Sequence, residues 1–241
     1  MKRFYSTLAA FVLAVAAFGV TAAPAAAQSK KASRAEASAR VSTPLNLAVL
    51  IQDDLVSRVG NELRETGEFI RTLPAGSRVM VGYIRSGSLQ VRQPFTEDLD
   101  AAARALRIPI GSTAVSPFNP YIQVRDAIKQ FPSDGNRNAV LLVSDGLDTS
   151  RGFDFSSSVD SIDLNRAVKE AKAHNVSVYS FYAPSVGLTS RNRTAVSFGQ
   201  SALNRISDET GGRAFFQGTD FVTFDAYFER LTRTLNERRA Y

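Results

Sequence analysis

The 241-residue sequence predicts a doubly wound α/β fold: a mostly parallel six-stranded sheet with one antiparallel edge strand and helices on both faces. Three observations predict it. Two near-continuous apolar runs, Leu45–Ile51 and Ala139–Val143, have the pattern of strands buried on both faces. Strand-like and helix-like segments alternate along almost the whole chain, as parallel crossovers require. One link, Ser86-Gly87-Ser88, is too short for such a crossover, which needs a dozen residues, and implies a hairpin instead.

The elements follow in order. After Leu45–Ile51, a helix is expected over Val59–Leu73, with Leu63, Phe69, Ile70 and Leu73 toward one face and Pro74-Ala75-Gly76 as its stop. Arg78–Ile84 and Leu89–Phe95 form the hairpin. Helices follow over Glu97–Leu106 and Asn119–Phe131, then the buried strand Ala139–Val143. Helix Asp163–His174 leads into strand Val176–Tyr182. A helix over Phe198–Thr210 stops at Gly211-Gly212, ahead of the short strand Ala214–Phe216. The last helix, Phe224–Arg238, carries Tyr227, Phe228, Leu231 and Leu235 at helical spacing. There is no internal repeat.

The N-terminus sets an expected compartment. Met1, Lys2 and Arg3 precede an apolar stretch from Leu8 to Val20 and then an Ala-rich run ending at Ala27. This stretch is shorter than the roughly 20 residues that span a bilayer. Its order of charge, apolar run and small residues is that of a secretory signal, with cleavage expected after Ala27. An uncleaved anchor is the competing reading. Residues 28–44, rich in Ala, Ser, Lys and Arg, read as a flexible leader, and 45–241 as one domain in the periplasm or outside the cell. The chain has no Cys, so neither a disulfide nor a lipidated cysteine contributes, and stability rests on the packed core.

The formal charge of +6 falls to +4 without Lys2 and Arg3. Basic residues gather at both ends: Lys30, Lys31, Arg34 and Arg40 in one, Arg230, Arg233, Arg238 and Arg239 in the other. Such ends suit acidic envelope polymers, and export makes nucleic acid an unexpected partner. Solvated faces without a specific partner are the more ordinary account of them.

Ligands of such sheets bind beyond the carboxyl ends of the strands. The loops there are Gln52–Arg58, Ile108–Phe118, Asp145–Ile162 and Pro184–Ser197, the last two long and polar. Phe153 and Phe155, in the Ser-rich stretch, suit partner anchors or fold back onto the domain; Arg191 and Arg193 add a basic rim.

Three segments carry a family resemblance: Gly111-Ser112-Thr113 ahead of a helix, Leu141–Thr149 with Ser144-Asp145-Gly146 at a buried strand's end, and Glu209–Phe216 around Gly211-Gly212. Together, in this order, they resemble von Willebrand factor type A domains over about residues 45–238. The resemblance implies a divalent cation at the top of the sheet, held by an Asp-x-Ser-x-Ser strand end, a Thr and an Asp, and capturing a partner's carboxylate. Thr113 and Asp145 match the second and third segments. The first departs. With Gln52 in the place of the Asp, Asp54 and Val56 replace the serines; shifted by one, Asp53 is followed by Leu55 and Ser57. Asp53, Asp54, Thr113 and Asp145, with Asp148 near, are therefore the candidate metal residues, for Mg²⁺ or else Mn²⁺ or Ca²⁺. The competing reading makes them turn and cap residues around a degenerate site.

The expected function is an exported adhesion module for a protein or envelope polymer. The alternative is a metal-dependent hydrolase on a similar sheet. Against an enzyme, the single histidine, His174, sits at a helix end away from the functional loops. Ser144 also lacks a Gly-x-Ser-x-Gly setting, and no Gly-rich phosphate loop is present.

Overall fold

A computed structural model describes residues 41–116, 119–150, 152, 161–216 and 223–237. The signal segment 1–27, leader residues 28–40, Phe153 and Phe155 lie outside the described residues.

β1 (Leu45–Gln52) is buried at every position and is central in the sheet. It is followed by α1 (Val59–Arg71), β2 (Arg78–Arg85), β3 (Ser88–Thr96), α2 (Leu99–Arg104), α3 (Pro120–Ile128) and β4 (Arg137–Ser144). Then come α4 (Ile162–Ala173), β5 (Val176–Tyr182), α5 (Arg193–Glu209), β6 (Ala214–Phe215) and α6 (Phe224–Glu237). The strands lie in the order β3-β2-β1-β4-β5-β6. All neighbours are parallel except β2 and β3.

The alternation of side chains along β1 divides the core into two layers. Leu47, Val49 and Ile51 face a layer with Val59, Leu63 and Ile70 of α1, Ala102 and Ala103 of α2, and Phe224, Tyr227, Phe228 and Leu231 of α6. Ala48 and Leu50 face the other layer, with Tyr121 and Val124 of α3, Leu164 and Val168 of α4, and Val196, Leu203 and Ile206 of α5. The expected fold class is the one observed.

The hairpin between β2 and β3 turns through Ser86 and Gly87, both at positive φ (47° and 73°), as a two-residue hairpin turn requires. Pro94 is tolerated in β3 because the strand is an edge.

Several boundaries differ from expectation. Packed structure starts at Val41 rather than Leu45. Val41 belongs to the core, and the Ser42 backbone N–H and hydroxyl both donate to Asn236 Oδ1, at 3.0 and 2.9 Å. α5 starts at Arg193, not Phe198, because Asn192 Oδ1 accepts from the N–H groups of Thr194 and Ala195 and so caps the helix. α2 shortens to Leu99–Arg104 for a similar reason, its start fixed by Asp98 accepting from Ala101 N–H.

Candidate functional site

The chain leaves β1 toward β2 on one side and returns to β4 on the other, so the sheet order reverses between β1 and β4. A crevice opens at such a reversal, beyond the strand carboxyl ends. Gln52 ends β1 and Ser144 ends β4 on its two sides. A cleft of about 200 Å³ lies there, lined by Gln52, Asp54, Ser116, Asp145, Ser185 and Leu188 among others. A larger hollow of about 720 Å³ opens at the opposite edge, beside His174 and Asn136. It holds no paired carboxylates, and the position of the smaller cleft at the reversal makes it the better candidate.

Gln52 organises the cleft. Its carboxamide oxygen accepts from Ser144 Oγ at 2.6 Å and from Asp145 N–H at 3.2 Å. Its amide group donates to Asp54 Oδ1 at 2.8 Å. Asp145 is held from several sides: Leu147 N–H donates to Oδ1 at 3.1 Å, Thr189 Oγ1 donates to Oδ2 at 3.1 Å, and Ser185 adds a further hydrogen bond. Asp54 takes a hydrogen bond from Ser116, and its carbonyl accepts from Val186 N–H at 2.9 Å, tying the β1 and β5 loops together.

Both carboxylates are buried, 3% exposed each, with no cationic side chain bonded to either among the described residues. Burial pushes the Asp54 carboxyl from its ordinary 3.8 up to about 6, and the neighbouring Asp145 charge adds to the rise. Asp145 is raised as well, by burial, against the pull of its hydrogen bonds.

The structure separates the four candidate metal residues. Asp54 and Asp145 meet in the cleft. Asp53 does not: its side chain is fully buried in a bidentate pair with Arg107, at 2.6 and 2.8 Å, and Ile110 N–H donates to it at 3.1 Å. The Arg107 guanidinium lies 4.0 Å over the Tyr83 ring, and the Tyr83 hydroxyl donates to Arg107 O at 2.6 Å. Thr113 is exposed in a short 3-10 turn and does not line the cleft; Ser116, three residues on, does. Asp148 caps its own turn, accepting from Ser150 N–H at 3.0 Å, and also accepts from Asn119 Nδ2 at 3.1 Å. Arg191 and Arg193 are exposed beside the β5–α5 loop that lines one wall. Ser116, Ser185, Thr189 and the organising role of Gln52 were not singled out from sequence; hydroxyls in polar loops carry no spacing that marks them.

These residues do not fit the divalent cation that the resemblance implies. Only two carboxylates converge, and no group of three His, Asp or Glu side chains that would hold a metal occurs among the described residues. An amide N–H₂ points where the first carboxylate would stand, and both Asp145 oxygens already accept from neutral donors.

Known proteins of the same fold were found by structure. The chain aligns with an aerotolerance-related membrane protein from Bacteroides fragilis at a TM-score of 0.55 and 12% identity, covering 80% of this chain and 99% of that one. BatB from Bacteroides thetaiotaomicron aligns at 0.53 and 12%, covering 80% and 98%. The six-stranded mixed sheet with helices on both faces is the VWA-like fold that the sequence motifs lead one to expect. The SpRpn10 VWA domain aligns at 0.45 and 14% identity, covering 82% and 96%. No protein-family model and no curated protein matches the sequence. The likeness to known proteins concerns the fold alone, carried by the two higher-scoring alignments. Among the described residues no helix is long and apolar enough to cross a membrane.

Proposed function

We propose that this VWA-like chain is an exported, non-enzymatic binding module that captures a protein or envelope polymer on the loop face around the Asp54–Asp145 cleft. One observation carries this reading. Of the five large apolar side chains that stand exposed among the described residues, four belong to the loops and helix starts that follow the carboxyl ends of the strands: Ile108 (63%), Ile110 (47%), Ile162 (48%) and Leu188 (39%). Scattered exposed apolar residues are ordinary, but their gathering on one functional edge is a mark of an interaction surface. Leu188 itself lines the cleft, and Arg191 and Arg193 extend the same rim.

The N-terminal sequence supports export: Met1-Lys2-Arg3, the apolar Leu8–Val20 and the Ala run before Gln28. The Ser144 hydroxyl is spent on Gln52, and His174, the only histidine, lies at the opposite edge.

The test is capture from an envelope extract with chemical cross-linking, comparing wild type with Leu188→Asp, Ile110→Asp and an opposite-edge control, Asn136→Asp. The loop-face variants are expected to lose at least about tenfold in capture of the same species, as hot-spot substitutions do, and the control to lose nothing. Equal capture by all four proteins would place the contact elsewhere.

A further inference from the structure

We propose that the Gln52 carboxamide stands in this cleft in place of a divalent cation, so that the cleft keeps its shape and is occupied without any metal. The amide's orientation is not arbitrary. Asp145 N–H only donates, and it lies 3.2 Å from one end of the group; the Asp54 carboxylate, acceptor-only when ionised, lies 2.8 Å from the other. The oxygen must therefore face Asp145 N–H and Ser144, and the N–H₂ must face Asp54. The amide thus bridges the two acidic residues, its N–H₂ donating to the Asp54 carboxylate and its oxygen accepting from the Asp145 backbone N–H, across the place where a bridging cation would stand.

Three further features keep a cation out. The positive end of the amide dipole faces the Asp54 carboxylate, so a metal bound to that carboxylate on this side would have to displace the amide and break its bonds to Ser144 and Asp145 N–H. The nearest spare carboxylate, Asp53, is neutralised by Arg107 and turned away. The position that would offer a second hydroxyl is Val56, half-buried and packed against the core beneath. Hard cations need several oxygen ligands arranged around them, and the wall here presents hydrogens instead. This inference stands apart from the partner-binding reading, since its measurement uses no partner.

Thermal unfolding of the full chain with millimolar Mg²⁺, Mn²⁺ or Ca²⁺ against chelator, at fixed ionic strength, tests it. Wild type is expected to show no metal-dependent rise in Tm from this cleft. A rise in wild type that Asp145→Asn abolishes overturns the proposal; a rise that persists in Asp145→Asn reports binding elsewhere and leaves the cleft metal-free, as expected. Gln52→Asp removes the N–H₂ and restores a carboxylate, and is expected to gain an upward Mg²⁺ shift of several degrees under saturating ion. A folded Gln52→Asp protein with no such gain would show that the amide is not what excludes the cation, and would also overturn it. Should Gln52→Asp fail to fold, the wild-type and Asp145→Asn titrations still decide the matter.

Discussion

Asp54 holds its carboxylate against a second one, Asp145, in a pocket where water hardly reaches. The fold therefore favours its protonated form. Its pKa rises from 3.8 in the unfolded chain to about 6 in the folded one, so between those values the folded state binds more protons than the unfolded state. Stability from this group is fully present below about 3.8 and is lost as the pH climbs through about 6. The size is on the order of 3 kcal/mol. Asp54→Asn keeps an acceptor for the Gln52 amide and removes the charge. Urea unfolding should find it more stable than wild type at neutral pH, with a flatter dependence between those two values. Identical slopes for both proteins would show that Asp54 is not the titrating group. Asp145 was legible in the sequence because it follows the last residue of β4, and Asp54 because it lies two residues past the end of β1, both where the chain turns into the loop crevice. The fate of Asp53 was not, because its partner Arg107 lies 54 residues away and meets it only through the stacking on Tyr83. Two adjacent aspartates look alike on paper. The turn after β1 sends them to different partners, Asp53 to Arg107 and Asp54 to the Gln52 amide.

At the scale of elements, strands were easier to read than helix starts. The sheet is dominated by runs buried on both faces, which leave a strong apolar signal, whereas α5 starts in a polar loop where only the Asn192 cap marks it. That helix also packs against the end of β4. At Gly199 its backbone presses against the carbonyl of Asp145, while Gly146, at a φ of 76°, lies against Gly199 in return. A Cβ on either residue would meet backbone, not a side chain that can swing aside. Gly199→Ala should push α5 off the end of β4 and cost about 1–3 kcal/mol, the range of overpacked cores. Because the collision is with Asp145 itself, near-ultraviolet spectra should change along with the denaturation midpoint. A midpoint within error of wild type would mean that α5 sits further from β4 than described.

On the scale of the whole molecule, one face of the sheet is closed by aromatic packing that no single periodicity reveals. Phe181 of β5 contacts four rings, those of Phe215, Phe224, Tyr227 and Phe228, with centroids 5.0–5.5 Å away and steep interplanar angles. Phe69 of α1 stacks on Phe228 at 4.6 Å, so this cluster joins α1, β5, β6 and α6. Edge-to-face pairs add to the burial of area that each ring supplies. Phe181→Ala should therefore cost about 3–5 kcal/mol in urea unfolding, as large-to-small changes of a buried phenylalanine do. A loss below about 1 kcal/mol would imply that the neighbouring rings collapse into the space. The helical spacing of Tyr227, Phe228, Leu231 and Leu235 made α6 predictable, but its seat beside Phe181 is a matter of three dimensions.

The hydrogen bonds from Ser42 to Asn236, with Arg137 donating to both Thr43 Oγ1 and Leu235 O, fasten the two described ends of the domain together beneath the sheet, at the pole away from the cleft. A tether on either end thus pulls on the same spot. Anchored there to a bead, a sensor chip or a wall polymer, the domain would stand like a bulb in its socket, with the loop face outward and free to sweep its surroundings. The same neighbourhood of ends means that they can be joined by a few residues and the chain reopened at an exposed turn such as Ser86-Gly87, with little change to the crevice between β1 and β4.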